Sequence, residues 1–257
     1  MKKVLTIAGF DSSGGAGLQA DIKTFLTLGV HDLSVVSAVT AQNSKGVYGK
    51  KRVDFLKEQL ETLGDDIKID AIKIGMLSNK KDIKIVKNFL KNRKIPIVLD
   101  TPWVSSSGYD LLDKRDIQYF AKKLFKLSTL ITPNTLETNM LVGFDIKSLK
   151  EMKKAAKKLH KKYKLKHILI KGGHIKGDVA IDLLYDGKNF YIHKEKRVKS
   201  SVDFHGTGCV YSSAIAAYLA KGYSVKKAVK KAKKYITKSI KKSYRISKNG
   251  SKYLKGK

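Results

Sequence analysis

Short β-branched runs recur along the chain, spaced so that one helix fits between most neighbours. They are KVLTIAG (3–9), LSVVSAVT (33–40), DAIKIG (70–75), PIVLD (96–100), TLITP (129–133) and HILIKG (167–172). Helical stretches lie near 15–28, 54–66, 79–92, 114–125, 135–141 and 148–163. Several of the strands are unbroken apolar runs, the pattern of strands covered on both faces. This order predicts an α/β fold with a doubly wound, mostly parallel sheet. VAIDLLYDGKNFYIHKEKR (179–197) reads differently, because Asp186-Gly187 separates two strand-like runs and predicts an edge hairpin. Two helices, near 207–221 and 225–243, close the domain.

The chain has 257 residues, three prolines and no long Ser/Gly tract, so a single domain over 1–245 is expected. The basic end, 246–257, is expected to be a flexible tail. One cysteine excludes an internal disulfide framework and a cysteine-rich zinc site. The apolar run in MKKVLTIAGFD is too short for a signal peptide and meets Asp11 at once. No stretch approaches the roughly 18 apolar residues of a membrane helix. A cytoplasmic protein without a membrane partner is expected.

The formal charge is +32. Lysines fill the solvent faces of helices, as in SVKKAVKKAKKYITKSIKKSY, where Val225, Ala228, Val229, Ala232 and Ile236 keep helical spacing. They are spread over the whole chain and no nucleic-acid motif accompanies them, so nucleic acid is not expected as a partner. The field still draws anionic ligands in a salt-dependent way.

In a parallel sheet, ligands bind beyond the carboxyl ends of the strands. The residues there are Gly9 to Gly17, Ala41-Gln42-Asn43, Gly75-Met76, Asp100, Asn134 with Glu137, and Lys171-Gly172-Gly173. GFDSSGGAG (9–17) is a near miss to a phosphate loop: Gly15-Ala16 stand where Lys-Ser/Thr is required. Its glycines suit close approach of a small substrate to backbone. HGTGCVY (205–211) has G-x-G but Tyr211 in place of the third glycine. What survives is a glycine turn feeding a helix, an anion site made of free N–H groups. Cys209 falls in the first turn of that helix, where a lowered thiol pKa is expected. A small hydrophobe packed at the helix start is the competing reading. Asn134 and Glu137 have the spacing of a capping box, and spacing alone favours that reading over Mg²⁺ ligation. Lys171 could reach a phosphate, and His205 adjoins the glycine turn; no histidine pair has zinc spacing.

Taken together, LTIAGFDSSGGAGLQADIKTF, AVTAQNSKGV, IKIGML, LITPNTLE, ILIKGGH and HGTGC resemble, in order, the hydroxymethylpyrimidine and phosphomethylpyrimidine kinases of thiamine biosynthesis. The resemblance covers residues 3–243. It implies a ribokinase-like open αβα sandwich. It implies ATP-dependent phosphorylation of 4-amino-5-hydroxymethyl-2-methylpyrimidine, then of its monophosphate, with Mg²⁺. Gln42 matches the glutamine that reads the pyrimidine, and Asp21, Gly9, Ala16 and Met76 fall on the substrate side. Gly206, Thr207, Gly208 and Cys209 match the anion hole and the catalytic base. Lys171 and Thr207 match ATP-binding positions. Asn134, Glu137 and Asp100 match the magnesium side, which reverses the capping reading. A homodimer is left open. The family pattern DPVMVAKSG departs here to DTPWVSSSG (100–108), with Ser106 for the lysine and Trp103 at the methionine position. Phe10 and Phe204 are further departures, and the added aromatics are expected to reshape the substrate pocket. The alternatives are a pyridoxal kinase of the same branch, or a weakly active, basic nucleic-acid-binding or regulatory relative.

Overall fold

The computed structural model describes residues 1–256. One nine-stranded sheet runs through it, in the order β3-β2-β1-β4-β5-β6-β7-β8-β9. The strands are β1 (Lys3–Asp11), β2 (His31–Gln42), β3 (Val47–Arg52), β4 (Ala71–Ile74), β5 (Ile97–Leu99), β6 (Leu130–Ile131), β7 (Ile168–Lys171), β8 (Val179–Tyr185) and β9 (Phe190–Lys196). From β2 across to β7 all neighbours are parallel; β3, β8 and β9 each pair antiparallel at the margins. The β8–β9 hairpin turns at Asp186-Gly187, as the sequence predicts, with Gly187 at φ 91°.

Alternation along each central strand divides the core into two layers. Leu5, Ile7, Ile72, Ile74, Ile97, Leu99, Ile168 and Ile170 face one side. There they meet α2 (Leu56–Asp66), α3 (Lys80–Leu90), α4 (Ile117–Leu124), α5 (Thr135–Val142) and α6 (Leu149–Tyr163). Val4, Ala71, Val98 and Leu169 face the other side. They meet α1 (Gly17–Thr27), α7 (Thr207–Ala220) and α8 (Val225–Lys241). The sheet is therefore open, wound on both faces, and sandwiched between helices. Strand order reverses direction between β1 and β4, and the crevice beyond their carboxyl ends is the switch point where such sheets take ligands. No helix among the described residues is long and apolar enough to cross a membrane.

Two features correct the sequence reading. The segment 246–257 is not a loose tail over its described part. Lys252–Tyr253 forms β11, parallel to β10 (Phe204–His205), and Tyr253 is only 3% exposed. Ser247 and Ser251 also hydrogen-bond to Ser44 in the β2–β3 turn. The segment thus straps the lead-in of α7 to the far edge of the sheet. Trp103, for its part, is buried in the core, edge-on to Phe120 at 5.6 Å between ring centres. Of the other added aromatics, Phe10 is exposed at the end of β1 and Phe204 is half-buried in β10.

Candidate active site

The glycine turn feeding a helix is built as the sequence predicts. Gly206 caps α7 at φ 78°, in the left-handed region that favours glycine. A Cβ there would lie 1.9 Å from the carbonyl oxygen of Gly15, so no other residue fits without moving the glycine loop. The first helical hydrogen bond runs from Val210 N–H to Gly206 O at 3.0 Å. The N–H groups of Thr207, Gly208 and Cys209 precede it and point their donors out of the helix end.

Asp11 fixes the glycine loop to that turn. Its carboxylate accepts from Ser13 N–H and Oγ, from Gly15 N–H at 3.0 Å and from Ala16 N–H at 2.7 Å. His205 Nε2 closes the set at 2.8 Å. Burial pulls the Asp11 pKa up, but hydrogen bonds from His205, Ser13 and Ala16 more than reverse this and hold it far below the usual carboxylate range. Tyr253 packs edge-on against His205 and crowds Gly15. Sequence reading singled out neither Asp11 nor Tyr253. The only available signal was an acidic residue ending a strand before a glycine run.

Lys171, at the end of β7, donates to Asp100 Oδ1 at 2.8 Å. Its Nζ lies 3.3 Å from where a Cβ on Gly208 would stand, so the ammonium borders the anion turn directly. Burial works against its charge, but Asp100 and Glu137 prevail and its pKa is raised. Asp100 has no free oxygen: Oδ1 also accepts from Thr132 and Oδ2 from Ser212. Glu137 and Asn134 form a capping box on α5, with both bonds at 2.8 Å. Glu137 Oε2 takes the Asn134 N–H and the Thr101 hydroxyl, while Oε1 carries no hydrogen bond from the described residues. Burial, with Lys171 opposing and Asp100 reinforcing, pushes the Glu137 pKa up to about 7.

No group of three or more His, Cys, Asp or Glu side chains able to hold a metal stands among the described residues. Mg²⁺ in nucleotide sites takes one or two carboxylates and fills its octahedron with phosphates and water. Of the three residues expected on the metal side, Glu137 alone offers a free oxygen, and it fits that demand. Asn134 and Asp100 are committed to the cap and to Lys171.

Cys209 is half-buried, and its thiol contradicts the sequence expectation. Burial pushes its pKa up to about 11, with Lys73 opposing and Asp21 and Asp100 reinforcing. The thiol is therefore neutral near pH 7. Asp21, expected beside the substrate, lies one layer below. It is fully buried and accepts from Thr6 at 2.6 Å, Lys73 at 2.7 Å and Ser213 at 2.6 Å. Burial would lower the Lys73 pKa, but the Asp21 charge prevails and Lys73 stays ionised. The pair ties β4 and α1 to α7 beneath the thiol.

Gly9 and Met76 meet at the switch point; a Cβ on Gly9 would lie 2.8 Å from Met76 Sδ. Gln42 ends β2, with its backbone held by Ser12 Oγ and its side-chain amide free of protein partners among the described residues. Ala16 begins α1 as its cap residue. Ser106 is exposed in a loop that touches the β2–β3 turn through Ser107 and Gly46.

A glycine turn at a helix N-terminus, a lysine held charged beside it, a carboxylate with one oxygen free of hydrogen bonds and a cysteine at the same helix end fit a phosphotransferase on a doubly wound α/β sheet. The family model of phosphomethylpyrimidine kinase matches residues 11–253, and the chain belongs to that family. A hydroxymethylpyrimidine/phosphomethylpyrimidine kinase of Aquifex aeolicus is 43% identical over 228 residues, 88% of this chain and 89% of that protein. The structure of a pyridoxal kinase from Staphylococcus aureus in complex with ADP superposes with a TM-score of 0.91 at 34% identity. It covers 100% of this chain and 93% of that one. A phosphomethylpyrimidine kinase from Clostridium difficile superposes at 0.81 with 38% identity, over 93% and 100% of the two chains. The ribokinase-like sandwich expected from the motifs is the fold observed.

Proposed function

We propose that the chain transfers the γ-phosphoryl group of ATP to the hydroxymethyl oxygen of 4-amino-5-hydroxymethyl-2-methylpyrimidine. A second round phosphorylates the monophosphate, in thiamine biosynthesis. The observation that carries this reading is the meeting of the anion turn, Cys209 and Lys171 at one helix end. Phosphoryl transfer needs donors aimed at the equatorial oxygens and little covalent chemistry. The N–H groups of Thr207, Gly208 and Cys209 supply the donors. Lys171 takes the side of the transferring phosphate nearest the nucleotide, with Asp100 fixing its ammonium. Glu137 Oε1 would hold Mg²⁺, directly or through water, and the ion would neutralise phosphate charge when bound. Cys209 can accept the hydroxymethyl proton only as the thiolate, so the acting form is the small fraction whose thiol has first released its proton to solvent; a loose transition state, in which the alcohol proton leaves late, asks little of that base. Gln42 presents an acceptor and a donor to the 4-amino group and the adjacent ring nitrogen. Gly9, Ala16 and Met76 shape the floor beside it. Asp21 supports this layer from below.

A pyridoxal kinase is the second reading, favoured by the superposition on the Staphylococcus aureus enzyme over the whole chain. Pyridoxal carries a phenolic oxygen and an aldehyde where the pyrimidine offers its amino group and ring nitrogen. An amide left half paired costs about 1–3 kcal/mol, or roughly 5- to 150-fold in kcat/KM. The test is kcat/KM for both compounds on wild type and Gln42→Ala. The pyrimidine should be preferred by wild type and lose far more on substitution. Preference for pyridoxal, or equal loss on both, would move the second reading ahead.

A further inference from the structure

Arginine stands at only five of the 54 basic positions in this chain. Lysine serves where a solvated charge suffices, whereas arginine offers a planar fork of donors, which Arg52 turns on two carboxylates. Arg197 is the clearest case. Its Nε donates to Gly177 O at 2.7 Å, one terminal nitrogen to Gly173 O at 2.7 Å, and the other to Ile175 O at 2.6 Å. Its backbone N–H donates to Asp178 O at 2.8 Å. Three alternate carbonyls of one loop thus converge on a single guanidinium.

That loop follows Lys171 immediately. At its start, Gly172 N–H donates to the buried Asp182 at 3.0 Å, and Lys233 pairs with the same carboxylate at 2.7 Å. Ile175 N–H turns back onto Gly172 O at 3.0 Å. Residues 173–177 belong to no strand or helix, and only Ile175 among them packs, half-buried, against the core, so the hydrogen bonds carry much of their order. Arg197 itself follows β9 and begins the connection that runs through Asp203 to β10 and the anion turn. The loop and the connection are the two segments that deliver Lys171 and the α7 N–H groups to one point.

We propose that Arg197 is a positioning residue for the phosphoryl donor: it locks loop 173–177 to the connection before β10, so that Lys171 and the anion turn meet the nucleotide as one preformed surface. This rests on the kinase reading above and names which of its two ligands the device serves. A lysine at 197 keeps the charge but has no rigid fork with which to satisfy three separated carbonyls. The loop is then ordered only when nucleotide binds, and the affinity falls by the cost of that ordering.

The experiment compares wild type with Arg197→Lys, with Arg197→Gln as a second variant. ADP affinity by calorimetry needs no acceptor and carries the test. It should weaken roughly tenfold in Arg197→Lys, the loss of about one net charge-assisted hydrogen bond. KM for ATP should rise with it while KM for the pyrimidine stays the same. Amide hydrogen exchange over 173–178 should quicken in the variant without ADP and slow again with it. Unchanged ADP affinity, or equal rises in both KM values, would overturn the proposal. A wild type that binds ADP but does not phosphorylate the pyrimidine defeats the functional reading alone and leaves the affinity comparison standing.

Discussion

The proposed function asks two tasks of the two oxygens of Glu137, and they make opposite demands. Oε2 closes the capping box on α5, which any acceptor can do. Oε1 is useful to a cation only when the group is ionised. The pKa raised from 4.5 to about 7 means that folding takes up a proton. The stability linked to that proton is complete below about 4.5 and is lost as pH rises through about 7. At about 1.4 kcal/mol per unit, the ionised carboxylate costs the metal-free fold about 3 kcal/mol at pH 8, and well under half of that at pH 5. Glu137→Gln keeps an acceptor for the Asn134 N–H and the Thr101 hydroxyl and carries no charge. In chelator-treated protein its melting temperature should match wild type near pH 5. At pH 8 it should lie higher by roughly 5–10 °C for a chain of this size. Activity should meanwhile need more Mg²⁺ at every pH. The assay is a set of thermal melts from pH 5 to 8.5, paired with Mg²⁺ titrations of turnover. A variant that melts below wild type throughout, with unchanged magnesium dependence, would show that Glu137 only caps the helix. Melting curves that stay parallel across pH would refute the charge argument itself.

Cys209→Ala should lower kcat by roughly 10²–10⁴ if the thiol accepts the hydroxymethyl proton, with KM for ATP little changed; wild-type kcat would remove it from the mechanism. Lys73→Met leaves Asp21 buried without its counter-charge and should cost about 3–5 kcal/mol in denaturant melts. The double variant with Asp21→Asn should recover much of this, and no recovery would show that packing rather than charge is at stake. Truncation after Ser243 removes Tyr253 from Gly15 and His205; it should lower the melting temperature and raise KM for the pyrimidine, whereas unchanged values would make the strap dispensable.

The central strands were legible because each is an apolar run buried on both faces, and nothing else in the chain looks like one. β3 was missed because VYGKKR is a lysine-rich edge with a glycine in it, and only its pairing with β2 makes it a strand. β10 and β11 are two residues each, too short for any period to show. The anion turn was legible because glycine at Gly206 and Gly208 answers a local geometric need. Asp11 was not, since its donors come from Ser13, Gly15, Ala16 and His205, and the last lies 194 residues away. Asn134 and Glu137 left the cap and the metal reading in competition. Sequence spacing cannot say that Oε2 closes the cap while Oε1 is left without a hydrogen bond from the described residues.

Cys209 shows where position along a helix stops being informative. A helix N-terminus stabilises a thiolate by about 0.3–1 kcal/mol when exposed and by up to about 2 kcal/mol in a favourable partly buried site. That is at most about one and a half pKa units. Desolvation shifts a fully buried group by up to about 3–5 units. The sequence revealed the smaller effect and its sign; the larger one depends on what packs around the sulfur. Burial, the Asp21 and Asp100 charges and the opposing Lys73 sum to a thiol near 11. A base of that strength holds a proton firmly once it has received one, yet is almost wholly protonated before substrate arrives. It can act as a base only in the small fraction of molecules whose thiol has first lost its proton to solvent. In that fraction the thiolate stands beside the charges of Lys73 and Lys171 and takes the proton from the newly phosphorylated oxygen. The rate should then rise with pH above neutrality in wild type and lose that rise in Cys209→Ala. A wild-type rate flat to pH 9.5, with chemistry shown to be limiting, would mean that the thiol proton never enters the rate.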